Sequence, residues 1–150
     1  MIKFIHTGHA LSKESIKPKR FRATVIVDAA EGILLTETRN RMVLFPGGGI
    51  NPAEPPIAAA GRELFEETGL EATSLIFLFE HESQSTQHYV FSAATRGNAK
   101  ARDDAVRVFY IRESEVESTI NMSPATRTIL LRFLHNKVPK YQLLSGRAAK

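Results

Sequence analysis

A run of glycines, followed shortly by paired prolines and an unbroken helical pattern, limits this chain more than any other stretch. The segment Gly47-Gly48-Gly49-Ile50-Asn51-Pro52-Ala53-Glu54-Pro55-Pro56-Ile57-Ala58-Ala59-Ala60-Gly61-Arg62-Glu63-Leu64-Phe65-Glu66-Glu67-Thr68-Gly69-Leu70 reads as a glycine loop feeding a short helix. Pro55 and Pro56 fit the first helical turn, where a missing amide hydrogen has no intrahelical partner to lose, and Gly69 supplies a stop. The helix is therefore predicted from about Pro55 to Thr68.

At about 100° per residue, Glu63, Glu66 and Glu67 share one arc of that helix, while Ile57, Ala60, Leu64 and Thr68 share the arc beside it. The second arc is expected to pack on a core. Three carboxylates within a turn repel one another and destabilise an isolated helix by a few tenths of a kcal/mol per neighbouring pair, roughly. A bound cation reverses that sign. A glycine backbone can turn sharply enough to aim carbonyl oxygens at the same ion, and hard cations such as Mg2+ take oxygen ligands from protein, water and substrate phosphates. A solvated acidic face is the plainer alternative for the carboxylates taken alone.

Counted from Gly48, the chain runs Gly, five residues, Glu54, seven residues, Arg62-Glu63-Leu64, one residue, Glu66-Glu67, one residue, Gly69-Leu70. This resembles, at every position, the signature of the Nudix hydrolases, enzymes that cleave nucleoside diphosphates linked to another moiety. The resemblance implies an α/β/α sandwich, a mixed sheet with a helix on each face, and a metal-dependent pyrophosphohydrolase. It implies Mg2+, with Mn2+ as a substitute. Carried onto the matching positions, Glu66 and Glu67 resemble the principal metal ligands, Glu63 a further ligand, and the Gly48 carbonyl a backbone ligand. Arg62, one turn before Glu66, is expected to orient a carboxylate by a charge-assisted hydrogen bond, and Glu54 to brace the loop.

The rest of the chain fits one domain over residues 1–150, with a core of about 21–136. Phe21 to Asp28 and Ile33 to Thr36 are rich in β-branched residues around the turn Ala-Ala-Glu-Gly and read as a hairpin. Leu44-Phe45-Pro46 reads as a short strand entering the glycine loop. Ser74 to Glu82 and Gln87 to Ala94 form a second hairpin, Val106 to Ile111 a further strand, Glu113 to Glu117 a helical turn, and Ser123 to Asn136 a packing helix capped by Ser123. Phe4 and Ile5 suit a short edge strand, and Ser12 to Ile16 a weak helical pattern.

The signature contains no free general base. Asp103 and Asp104, in the polar loop before Val106, are the candidates, with Asp104 taken as catalytic and Glu80 and Glu82 as second choices. The histidines show no metal-ligand spacing; His81 and His88 flank the hairpin loop, from which they could reach a substrate phosphate or base.

Composition narrows the partners. With 150 residues, 43% hydrophobic and 24% charged, the chain has the make-up of an ordinary globular domain. No apolar run is long enough for a membrane span and no leader is apparent, so no membrane partner is expected. The absence of cysteine excludes disulfides and fits a reducing compartment, with the cytoplasm expected. The net charge of +4 gathers toward the ends, where Lys13, Lys17, Lys19, Arg20 and Arg22 precede the first strand and Lys137, Lys140, Arg147 and Lys150 follow the last helix. Few aromatic residues interleave them, so they read as solvated ends rather than a nucleic-acid arm.

The expected partner is a small nucleoside diphosphate-linked substrate, and the apolar hairpin or the N-terminal segment could serve a homodimer. Pro46-Gly47-Gly48-Gly49 with Pro52, Glu54 and Pro56 is similar to Nudix members acting on dinucleoside polyphosphates or diphosphoinositol polyphosphates. Nucleoside triphosphates and nucleotide sugars stay open. The rival reading is a Nudix-like ligand sensor or interaction module without catalysis, against which the intact Glu66 and Glu67 argue.

Overall fold

In the computed structural model, residues 17–137 are described. The strand expected at Phe4-Ile5, the pattern over Ser12 to Ile16, and the basic tail beyond residue 137 lie outside them. The chain passes through β1 (Arg20–Ile26), β2 (Asp28–Ala29), β3 (Gly32–Thr38), β4 (Val43–Leu44), β5 (Gly47–Gly49), α1 (Pro56–Thr68), β6 (Glu71–Glu82), β7 (Thr86–Arg96), β8 (Ala105–Ile111), a 3-10 turn at Glu113–Glu115 and α2 (Pro124–Asn136).

β1 shows why the helices end up on opposite sides. Its residues from Ala23 onward are buried without a break, and the pleat sends successive side chains to opposite faces. Ala23 and Val25 join Leu34, Phe91 and the α1 residues Ala59, Ala60 and Leu64 in one core. Ile26 joins Ile33, Leu35, Phe45, Val90 and the α2 residues Ile129 and Leu130 in the other. The strand layer is thus covered by α1 on one face and α2 on the other.

The strand layer itself is divided. One four-stranded sheet runs β5-β1-β7-β6, and it is mixed because β1 and β7 are parallel, from Arg20 opposite Thr86 to Ile26 opposite Ser92. The second is antiparallel, β2-β3-β4 with β8 on the other edge of β3. The hairpin expected between residues 21–28 and 33–36 survives only at its turn, where Asp28 and Ala29 pair with Ile33 and Gly32. The chain changes sheets at Val27, whose carbonyl accepts from Leu34 at 3.0 Å. A strand buried on both faces satisfies its side chains equally well beside any neighbour, so its apolar run does not encode a partner.

α1 begins at Pro56 with Pro55 as its N-cap, and is closed by Gly69, which has a φ of 70° and whose amide donates a hydrogen bond to the Phe65 carbonyl at 2.8 Å. Ile57, expected on the core side, is 47% exposed. It stands on the first turn, and burial along the helix begins only at Ala59. α2 is capped as expected, with the Ser123 hydroxyl accepting from the Thr126 amide at 3.1 Å. The expected glycine loop is instead the edge strand β5, with Gly47, Gly48 and Gly49 opposite Thr24, Ala23 and Arg22.

Candidate active site

The glycines of β5 are required by what approaches them. Gly47 has a φ of 151°, and a Cβ there would overlap the Ala23 carbonyl oxygen; a Cβ on Gly48 would occupy the place of the Glu63 carboxylate. Glycine therefore lets α1 lay a carboxylate directly on the strand. Ala59, Glu63 and Glu67 follow one another at i, i+4 and i+8, and Ala59 is fully buried, so this row of α1 faces protein rather than solvent.

A groove of about 310 Å³ results, lined by Gly47, Gly48, Gly49, Glu63, Glu67 and Asp104, with Arg22 at one side. Asp104 arrives there because its loop is pinned to the end of α1: the Arg102 amide donates to the Glu67 carbonyl at 2.9 Å and the Lys100 amide to the Thr68 carbonyl at 2.8 Å. The Arg102 guanidinium also sits 5.0 Å over the Phe65 ring. Glu67 accepts from the Gly47 amide at 3.2 Å. Burial pushes its carboxyl up to about 7, opposed by the Arg22 charge and the Gly47 amide and reinforced by the charges of Glu63 and Asp104.

Arg62 organises the rim. Its Nε and Nη2 donate to the two Glu54 carboxylate oxygens at 2.9 and 3.1 Å, its Nη1 to Glu63 at 2.8 Å and Glu66 at 3.2 Å, and its Nη2 to the Gly49 carbonyl at 3.0 Å. Glu54 in turn accepts from the Asn51 amide at 3.3 Å. The pair with Glu54 raises the Arg62 pKa and holds the Glu54 carboxyl below its usual range. One guanidinium thus ties Glu54, in the loop after β5, to the two α1 carboxylates Glu63 and Glu66. Glu66 belongs to this rim and does not line the groove.

The donor set suits a hard divalent cation. It consists of the Glu63, Glu67 and Asp104 carboxylates beside the Gly47–Gly49 backbone, and the charges of Glu63 and Asp104 help to keep the proton on Glu67. Among the described residues no three His, Asp or Glu side chains converge as a ready-made ion cluster, and Arg62 pairs with both Glu63 and Glu66.

The remaining candidates lie elsewhere. Glu80 accepts from the Gln87 amide at 3.0 Å, Glu82 pairs with Lys19, and neither lines the groove. His88 is buried on β7, its Nδ1 3.0 Å from the Thr24 hydroxyl, and His81 packs beside it with ring centroids 5.8 Å apart. Burial, with Arg22 and His81 nearby, lowers the His88 pKa to about 4 and keeps its ring neutral.

Arg22 corrects the reading of the basic residues as solvated ends. It lies on β1, beside the groove, and its Nη2 donates to the Phe45 carbonyl at 3.1 Å. Burial lowers its pKa against the opposing pull of Glu67 and Glu63. The available signal was its position in β1, on the same side of the pleat as Thr24 and Ile26.

A sequence model described as NUDIX domain matches residues 18–133. An RNA pyrophosphohydrolase from Bartonella clarridgeiae is 38% identical over 82 residues, 53% of this chain and 45% of that protein. Diphosphoinositol polyphosphate phosphohydrolase 2 from Rattus norvegicus is 29% identical over 94 residues, 61% of this chain and 52% of that protein. The chain thus spans about half the length of the curated relatives it matches. A crystal structure described as a nudix hydrolase family member from Chromobacterium violaceum superposes with a TM-score of 0.73 at 28% identity, covering 88% of this chain and 92% of the other.

Proposed function

The chain belongs to the Nudix family, and from that premise we propose that it is a metal-dependent pyrophosphohydrolase that cleaves a diphosphate linkage in a nucleoside diphosphate derivative. The observation that carries this reading is that Glu63, Glu67 and Asp104 line one groove together with Gly47, Gly48 and Gly49. The names of the relatives, a phosphohydrolase and a pyrophosphohydrolase, support the same reaction class.

Attack on a diphosphate requires neutralised phosphate oxygens, an activated water and in-line placement. Mg2+, or Mn2+ in its place, would supply the Lewis acidity, with Glu63, Glu66, Glu67 and the Gly48 carbonyl as its protein donors. Glu67 must surrender its proton to serve, which couples metal uptake to proton release. Arg62 fixes the carboxylates of Glu63 and Glu66 and, through Glu54, the loop between β5 and α1. Asp104, which lines the same groove, would accept the proton of the attacking water. The groove opens beside Arg22, the one cation lining it among the described residues. Among the described residues no helix is long and apolar enough to cross a membrane, and the cysteine-free composition suits the reducing cytoplasm.

The test is a phosphate-release screen with Mg2+ or Mn2+ across nucleoside triphosphates, ADP-ribose, nucleotide sugars, dinucleoside polyphosphates and diphosphoinositol polyphosphates. Turnover of at least one class is expected, and Glu66→Gln and Glu67→Gln should lose most of it while remaining folded. No turnover of any class with either metal, or full activity in either variant at saturating metal, overturns the proposal.

A further inference from the structure

The longest strand, β6, is also an edge. It closes one side of the sheet β5-β1-β7-β6, and among the described residues no strand pairs with its outer side. Such an edge presents a row of unpaired amides and carbonyls, which proteins blunt with lysine, proline or bulges. β6 carries neither lysine nor proline. It has two bulges, at Thr73 and Leu78, where its register against β7 slips. Between them Ser74, Leu75, Ile76 and Phe77 run regularly opposite Ala94, Ala93, Ser92 and Phe91.

That regular stretch is the apolar part of the edge. Ile76 is 62% exposed and Phe77 51% exposed. Leu75 packs on the α1-side core, and the Phe77 ring meets Phe91 of that core edge-on at 5.6 Å. Both therefore stand on the α1 face, and Ile76 between them stands on the α2 face. Charge is confined to the two ends of the strand. At the first, Glu71 is bound by Arg96, and Arg102 reaches in beside Gly69. At the second, Glu82 is paired with Lys19, while Glu80 accepts only from the neutral Gln87 amide among the described side chains.

Residues directly opposite in an antiparallel pair share a face. Two identical strands related by a two-fold axis normal to the sheet can satisfy this only where the axis passes between a residue and its own copy. Ile76, at the centre of the exposed apolar stretch, is such a residue. We propose that a second copy of this chain docks on β6, with Ile76 opposite Ile76 and Leu75 opposite Phe77, so that the two sheets become one. The arrangement brings the Arg96 end of each copy to the Glu80 end of the other, and this charge match is what selects a second copy as the occupant. Each chain spends its β6 edge once, so assembly stops at two. The carboxylate groove, on the opposite edge strand β5, stays uncovered.

Sedimentation equilibrium of the full chain tests this, with folding checked by circular dichroism. The wild type is expected to be a dimer at about 100 μM and to dissociate on dilution, with a Kd of about 10 μM or tighter. Ile76→Lys sets two ammonium groups against each other at an exposed position and should weaken the dimer at least about tenfold. Arg96→Glu should weaken it by about as much, and Arg96→Glu combined with Glu80→Arg should return the Kd to within about threefold of wild type. The chain has no cysteine, so Ile76→Cys adds a single thiol that meets its own copy on the axis. Mild oxidation should cross-link it faster than Phe21→Cys, a thiol at an equally exposed site on β1. A monomeric wild type at about 100 μM leaves the edge to another occupant and overturns the proposal. So does an undiminished dimer in Ile76→Lys, a charge-swapped double variant no tighter than Arg96→Glu, or Ile76→Cys that cross-links no faster than Phe21→Cys.

Discussion

Glu67→Gln should make the metal-free protein more stable while removing its activity. Glu67 has its carboxyl raised from an ordinary 4.5 to about 7, chiefly by burial. Below about pH 4.5 the folded and unfolded chains both hold this proton. As pH rises toward 7 the unfolded chain releases it while the folded chain retains it, so the folded state loses stability across that window. Above about pH 7 the loss is complete. At about 1.4 kcal/mol per tenfold, the displacement amounts to about 3 kcal/mol. Glutamine keeps the shape and an acceptor for the Gly47 amide, and it has no proton to lose. Urea unfolding in EDTA should therefore find Glu67→Gln and wild type similar near pH 4.5, with the variant more stable by about 2–3 kcal/mol near pH 8.5. Saturating Mg2+ should favour the wild type instead, because only the carboxylate gains a cation. A stability difference that does not grow with pH, or a less stable variant at high pH without metal, refutes the reasoning.

Asp104→Asn should lower kcat by roughly a hundredfold to ten-thousandfold and abolish the acidic limb of the pH–rate profile, while a variant with the wild-type profile is not the base. Gly47→Ala places a methyl group on the Ala23 carbonyl oxygen and should cost at least about 2–3 kcal/mol in urea unfolding, as backbone on both sides must shift. Leu64→Ala, at a fully buried position under α1, should cost about 2–5 kcal/mol with the groove's metal preference unchanged. Ser123→Ala removes the hydroxyl that accepts from the Thr126 amide and should lower stability by about 1 kcal/mol, read as a fall in the thermal midpoint.

The signature helix α1 was legible because its signals are local. Pro56 at its start and Gly69 just past its end act within a turn of their own positions, and the acidic arc follows from helical pitch alone. The same holds for α2 and its Ser123 cap. The glycines were legible as a special backbone but not as an edge strand, since their pairing with Arg22, Ala23 and Thr24 depends on a strand more than twenty positions away. Ile57 shows the limit of the projection: an apolar residue on the correct arc is exposed because the first turn lies outside the packed part of the helix.

The sequence by itself determined which residues have metal-suited chemistry, and where the helix that carries them begins and ends. Tertiary structure alone decided which of them meet. The parallel pairing of β1 with β7 and the pinning of the Lys100–Arg102 loop to α1 bring Arg22 and Asp104 to Glu67. They turn a residue grouped with the basic ends into part of the groove wall, and they bury Glu67 deeply enough to raise its pKa. The physical reason is range. Caps and pitch act over a few bonds, whereas burial and the field at a carboxylate depend on every group folded around it, wherever it lies in the chain.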